Sequence, residues 1–211
     1  MKIYAVADIH GNLEKLDLIK AHVSELNPDV LVIAGDITNN TDPSSFVKMV
    51  NDLPIPVLAI RGESDIQAVE NLFDECPNIT ALHLKKALFG GVSFVGLSGA
   101  TPRTFRNANS YSYEITKEIE HFIDRKSVVV THLPPSGYCD ESYFGFPSGC
   151  RRLHELLLAR QPSVLLCGHI HNGSSIRYIR KTLVVNCSIA TGSAGAVLKL
   201  FDGEIIYSDM L

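Results

Sequence analysis

The first 60 residues alternate strand-sized apolar runs with segments of helical periodicity. Residues 2–7 form a short, mainly apolar run with Ile, Tyr and Val, and apolar residues then recur at helical spacing from 13 to about 26. Further apolar runs at 30–34 and 55–60 flank a second helical segment that begins at Pro43. This β-α-β-α-β order predicts parallel strands joined by right-handed crossovers.

The rest of the chain contains more strands and fewer helices. The predicted strands lie within 79–97 and at 127–131, 164–167, 174–179, 183–186, 196–201 and 204–208. Helical patterns cover 113–123 and 151–160. Two sheets with helices outside them fit this mixture better than one doubly wound sheet. Because no repeat, low-complexity tract or linker interrupts the 211 residues, we expect a single domain over 1–211.

Composition and charge exclude several classes of protein. Apolar residues make up 45% of the chain and charged residues 20%, which is typical of a folded globular protein. The net charge of −4 argues against stable binding to DNA. The apolar runs are too short to cross a bilayer, and the N-terminal segment does not resemble a secretory signal. The five cysteines form no CxxC pair, so we expect reduced thiols in a cytoplasmic protein.

Acidic and imidazole side chains follow four of the predicted strands. These residues are Asp8, His10, Asp36, His132, His169 and His171. In open α/β sheets, ligands bind beyond the carboxyl ends of the strands, so the six side chains are expected to converge on one rim. Residues at i and i+2 of extended backbone point to the same side, so the D-x-H and H-x-H pairs could each present two donors to one site.

These side chains are typical metal ligands. Mixed imidazole and carboxylate donors suit Mn, Fe, Zn or Ni, of which we favour Mn. Six or more donors exceed the needs of one tetrahedral ion and therefore predict two divalent ions, which together stabilise the attacking and leaving oxygens of an in-line displacement. Taken singly, each residue has an ordinary alternative role as a helix cap or a loop residue. Their common position after strands favours the metal site.

As a set, these motifs resemble those of the calcineurin-like metallophosphoesterases. The motifs are D-x-H at Asp8 and His10, G-D at Gly35-Asp36, the later His132, and G-H-x-H at 168–171. The resemblance implies an α/β fold, a four-layer α/β/β/α sandwich with two mixed β-sheets. It also implies hydrolysis of phosphate mono- or diesters by a hydroxide that bridges two metal ions. The short chain is most similar to the small prokaryotic branch of phosphodiesterases.

The resemblance also implies a division of the ligands between the two ions. By similarity, one ion would be held by Asp8, His10, Asp36 and His171. Asp36 would bridge to the second ion, which His132 and His169 would hold.

The third motif departs from the family pattern. The family usually has G-N-H-D or G-N-x-D, where this chain has Arg61-Gly62-Glu63-Ser64-Asp65. Glu63 replaces the metal-binding Asn, and Ser64 replaces the His that protonates the leaving group in many members. Glu63 could ligate a metal, point into solvent or cap the helix predicted near Ile66. Asp65 is interpreted as a helix cap rather than a ligand.

Ligation by Glu63 would change the charge of the site. Two divalent ions with Asp8 and Asp36 give about +2, and Glu63 lowers this to about +1. A dianionic monoester then gains less on entering the site than a singly charged diester. The sequence therefore predicts a preference for a small diester or nucleotide substrate with a good leaving group.

Cationic and aromatic residues supply candidates for substrate contact. Arg61 and Arg103 are predicted to contact phosphate. With Asp36 and His132, they complete the set of predicted catalytic residues. Tyr138, Tyr143, Phe144 and Phe146 lie in the loop after His132. This aromatic loop could stack on a nucleobase or form a subunit contact in a homo-oligomer.

A protein-binding module of the same fold, with weak or no catalysis, is the second interpretation. A retromer subunit is a relative of this kind. The altered third motif at Glu63 favours this alternative. The six converging donors argue against it, because a binding module has no physical need for them.

Overall fold

A computed structural model describes residues 1–39, 42–99, 111–142, 145–172 and 174–211. The strands in these segments are β1 (Lys2–Val6), β2 (Val30–Ala34), β3 (Val57–Ile60), β4 (Ile79–Ala81), β5 (Lys86–Phe89), β6 (Val92–Leu97), β7 (Val128–Thr131), β8 (Val164–Cys167), β9 (Ser175–Ile179), β10 (Thr182–Asn186), β11 (Ala196–Phe201) and β12 (Glu204–Met210). The helices are α1 (Leu13–Leu26), α2 (Pro43–Asn51), α3 (Ala68–Asp74), α4 (Tyr113–Glu120) and α5 (Arg151–Arg160). Within these segments, no helix has both the length and the apolar character needed to cross a bilayer.

The strands form two six-stranded mixed sheets. The first has the order β12-β11-β1-β2-β3-β4, and the second has the order β5-β6-β7-β8-β10-β9. In the first sheet β1 to β4 are parallel, as the β-α-β-α-β pattern predicts. Strand β11 pairs antiparallel with β1 on one side and with β12 on the other. In the second sheet β6, β7, β8 and β10 are parallel and the edge strands are antiparallel.

Alternating side chains of the strands separate the layers. On β1, Ile3 and Ala5 pack into a core shared by both sheets. Tyr4 and Val6 point the other way, into a core with α1, α2 and α3. The outer face of the second sheet packs on α4 and α5. Because the central strands of both sheets are buried on both faces, the molecule is a four-layer α/β/β/α sandwich, as the family resemblance predicts.

Helix α1 begins directly after the D-x-H motif. The Asn12 side-chain oxygen accepts hydrogen bonds from the backbone N–H groups of Glu14 (2.8 Å) and Lys15 (3.2 Å). This is the usual geometry of a helix N-cap, and it ends the turn that carries Asp8 and His10.

Candidate metal centre

The predicted metal ligands lie at the carboxyl ends of strands from both sheets. Neighbouring strands β1 and β2 precede Asp8 and Asp36, and neighbouring strands β7 and β8 precede His132 and His169. The backbone N–H of His169 points at Asp8 Oδ2 across the sheets, at 3.1 Å. The two sheets therefore bring residues that are 161 positions apart to one site.

One group of donors consists of Asp8, His10, Asp36 and His171. Each offers a ligand atom, and these atoms all lie within 4.8 Å of one another. His10 Nε2 lies 3.3 Å from His171 Nε2 and 3.8 Å from Asp36 Oδ2. His171 Nε2 is 3.5 Å from Asp8 Oδ1. These are the four residues that the family resemblance assigns to the first ion.

A second group consists of Glu63, His132 and His169, with ligand atoms again within 4.8 Å of one another. Glu63 Oε1 lies 2.8 Å from His169 Nδ1. Asp36 Oδ2 lies 3.5 Å from His132 Nε2, so Asp36 stands between the two groups. The structure thus brings all seven predicted ligands together, including Glu63, which turns towards the histidines.

The centre is buried on one side and open on the other. The side chains of Asp8, Asp36 and His132 are at most 2% exposed. Those of Glu63 and His171 are 39% and 46% exposed. A small anion in solvent can therefore reach the cluster from the side of Glu63 and His171.

The His132 ring has the bonding pattern of a metal-binding imidazole. Its Nδ1 donates to the Ala34 carbonyl at 2.9 Å, which leaves Nε2 to face the carboxylates. Nε2 is buried, and no described residue forms a hydrogen bond with it. A buried polar nitrogen without a partner is costly unless a ligand satisfies it. The site therefore fits a metal ion at this position.

The electrostatics of the centre also favour a cation. Burial alone would lower the pKa of His132, but the charges of Asp36 and Asp8 raise it to about 10. Burial tends to raise the pKa of Asp36. The His132 charge and the hydrogen bonds from Ser64 outweigh this effect and hold the pKa well below its usual range. The pKa of Asp8 is also lowered, since the bond from His171 and the charge of His132 outweigh its burial. The metal centre therefore stabilises positive charge between ionised carboxylates.

Left-handed backbone turns the donors inward. The φ angles of Asp8, His10, Asp36 and His169 lie between 52° and 70°, a region that is uncommon for residues other than glycine. Strain of this kind tends to collect at functional sites. At Gly35, with φ of 94°, a Cβ would lie 2.6 Å from His132 Nδ1. The close approach of His132 therefore requires glycine at this position.

The loop of the third motif supports Asp36. Ser64 donates to both carboxylate oxygens of Asp36, through its backbone N–H and its hydroxyl, each at 2.9 Å. The sequence indicated only that Ser64 could not serve as the usual histidine acid. Its contact with Asp36 spans 28 positions, and no local pattern reveals it.

The prediction that Asp65 caps a helix is wrong. Helix α3 begins at Ala68, and its N-cap, Gln67, makes no side-chain capping bond. The buried Asp65 carboxylate instead accepts hydrogen bonds from the backbone N–H groups of Ile37, Thr38 and Gly62, and from the Thr38 hydroxyl, at 2.8–3.1 Å. Asp65 therefore joins the loop that carries Asp36 to the loop that carries Glu63.

Asp65→Ala is expected to lower the free energy of unfolding of the metal-free protein by ~3 kcal/mol, because four buried donors lose their acceptor. Asp65→Asn keeps one acceptor oxygen and should cost less. Urea denaturation with EDTA present measures both effects. A loss below ~1 kcal/mol in the alanine variant would show that the carboxylate does not hold the loops together.

The predicted arginines are placed differently. Arg61 is buried; its guanidinium donates to the Gln67 side chain at 2.9 Å and lies 3.6 Å from Glu70. These contacts hold the guanidinium of Arg61 against Gln67 and Glu70, so we do not assign Arg61 a contact with substrate. Arg103 lies outside the described residues, as do Tyr143 and Phe144.

Comparisons with known proteins agree with this arrangement. The family model for calcineurin-like phosphoesterases matches residues 1–173. The UPF0046 protein K07C11.7 of Caenorhabditis elegans is 24% identical to this chain. The alignment covers 89% of this chain and 69% of the worm protein.

Two solved structures share the fold. TT1561 of Thermus thermophilus, known from a crystal structure, is 14% identical in sequence to this chain. The superposition covers 99% of this chain and 98% of TT1561, with a TM-score of 0.73. An archaeal phosphodiesterase is 12% identical over the full length of both chains, with a TM-score of 0.60. Since the family model covers most of the residues, including all seven donors, the chain belongs to the calcineurin-like phosphoesterase family.

Proposed function

We propose that the protein is a phosphodiesterase that works with two divalent metal ions, with Mn favoured. Membership of the family makes the chain a phosphoric ester hydrolase. The observation that carries the finer proposal is the presence of two adjacent donor groups with Asp36 between them. One tetrahedral ion would need only one of these groups.

The candidate ligands form two sets, one for each ion. Asp8, His10, Asp36 and His171 would hold one ion, and Glu63, His132 and His169, with Asp36, would hold the other. When bound, such a pair supplies an activated water and neutralises charge on the phosphoryl group. The Ala34 carbonyl orients His132, and Ser64 orients Asp36, so the ligands are fixed before substrate arrives.

One feature of the third motif favours diesters, and a second favours good leaving groups. Glu63 adds a negative charge to the second group, which disfavours a dianionic monoester more than a singly charged diester. The Ser64 hydroxyl donates to Asp36 and is not directed at a leaving group. Esters whose leaving groups need no proton should therefore react fastest.

Metal reconstitution tests this function. The protein is stripped with a chelator and reloaded with Mn²⁺, Fe²⁺, Zn²⁺ or Ni²⁺, and its metal content is measured by mass spectrometry. We expect two ions per chain and faster cleavage of bis(4-nitrophenyl) phosphate than of 4-nitrophenyl phosphate. A protein that holds two ions and cleaves neither ester would instead support a binding role.

A further inference from the structure

A cavity of about 700 Å³ is lined by residues that adjoin two of the candidate metal ligands, His169 and His171, in the sequence. One wall is the loop that follows His132, at 137–142 and Gly145. The other is the segment that follows His171, with Asn172, Ser174, Ser175 and Arg177. Ile170, between His169 and His171, also lines it. The first wall therefore begins five positions after the candidate ligand His132, and the second begins directly after His171. The volume is typical of a small-molecule site.

Hydrogen bonds hold the loop that forms the first wall. The buried Asp140 carboxylate accepts from the backbone N–H groups of Gly137 (2.9 Å) and Gly149 (3.2 Å). The two walls touch where the Ser175 hydroxyl lies 3.3 Å from Cys139 Sγ. A pocket with walls fixed in this way loses little conformational entropy when a ligand binds.

The described lining residues are mostly polar and hydrogen-bonding, and one of them, Tyr138, is aromatic. The groups that line the cavity and are relevant to binding are Tyr138, Glu141, Ser142, Asn172, Ser174 and Arg177. A lipid chain would require an apolar wall, which the described lining residues do not provide. Among its described lining residues Arg177 is the one cation, and Asp140 and Glu141 offset it, so the pocket does not suit a polyphosphate.

We propose that this pocket binds the nucleoside arm of a phosphodiester substrate, an inference that rests on the proposed function. The planar side chains of Arg177 and Tyr138 suit stacking on a base. An edge contact with His154, at 5.4 Å between ring centroids, positions the Tyr138 ring. The hydroxyl, amide and carboxylate groups of Ser142, Asn172 and Glu141 match the donors and acceptors of a base and a ribose.

Two esters with the same leaving group and the same charge test the pocket. Thymidine 5′-(4-nitrophenyl phosphate) and ethyl 4-nitrophenyl phosphate both release 4-nitrophenolate and differ only in the retained arm. We expect kcat/KM to be about tenfold higher for the nucleoside ester. Arg177→Ala should raise KM for the nucleoside ester by about tenfold and leave the ethyl ester unchanged. Lys181→Ala removes an exposed cation from the same β9–β10 hairpin, outside the pocket, and should change neither ester.

The outcomes separate this inference from the proposed function. Cleavage of both esters at equal rates, with no effect of Arg177→Ala, would overturn the pocket assignment and leave the phosphodiesterase intact. If the metal-loaded protein cleaves neither ester, the proposed function fails. Binding of thymidine 5′-monophosphate to the chelator-treated protein, measured by calorimetry, then tests the pocket alone. Binding that Arg177→Ala weakens supports the assignment, and the absence of binding refutes it.

Discussion

Asp36→Asn is expected to lower the cleavage of bis(4-nitrophenyl) phosphate by about a thousandfold, equivalent to ~4 kcal/mol in the transition state. Asp36 belongs to the first donor group and lies 3.5 Å from His132 in the second. Asparagine preserves the shape of the side chain and one acceptor for Ser64, but it removes the charge that both ions would share. Metal content should fall below two ions per chain, as measured by mass spectrometry on the same sample.

A control for this substitution is available just before strand β7. Asp124 lies at the opposite end of that strand from His132 and accepts hydrogen bonds from Lys126 N–H and the Ser127 hydroxyl, each at 2.9 Å. Asp124→Asn should retain full activity and both ions. Circular dichroism should show the same fold for both variants. An Asp36→Asn protein with two ions and normal turnover would contradict a shared role for Asp36.

Glu63→Asn is expected to raise the ratio of monoester to diester cleavage by at least about tenfold. A unit charge ~4 Å away is worth ~4 kcal/mol at an effective dielectric constant of ~20, and the partial exposure of Glu63 reduces this value. Removing the charge makes the loaded site more positive, so a dianionic monoester gains more than a singly charged diester. Steady-state kinetics with 4-nitrophenyl phosphate and bis(4-nitrophenyl) phosphate give the ratio.

Two further substitutions at the same position separate charge from ligand geometry. Glu63→Gln removes the charge with a side chain of equal length and should shift the ratio in the same direction. Glu63→Asp keeps the charge and should preserve the ratio even if both rates fall. If the ratio stays constant in both neutral variants, the charge of Glu63 does not determine substrate class.

Much of the secondary structure could be predicted from local patterns. The buried strand at 30–34 and the helix at 151–160 have the predicted bounds, because each shows a clear period and a clear stop signal. The helix predicted at 113–123 ends at 120, since helix ends depend on packing as well as on periodicity. The layered architecture followed from the order of elements together with the family motifs.

The third motif was harder to interpret. A carboxylate just before a helix is typically a cap, yet Asp65 binds Ile37 and Thr38, which are 28 and 27 positions away. The side chain of Arg61 was predicted to contact phosphate, yet it is buried beside Glu70. Both residues form long-range or loop-internal contacts, and sequence spacing carries no information about such contacts.

The sequence alone determined which residues could bind metal and that they follow strands, because strand ends and residue chemistry are local properties. Only the tertiary structure decided that Glu63 turns towards His169, that Asp36 lies between the two donor groups, and that His132 Nε2 faces carboxylates. These relations depend on how two sheets pack and on left-handed φ angles at the strand ends. Both are set by contacts between segments up to 161 residues apart, so no short stretch of sequence encodes them.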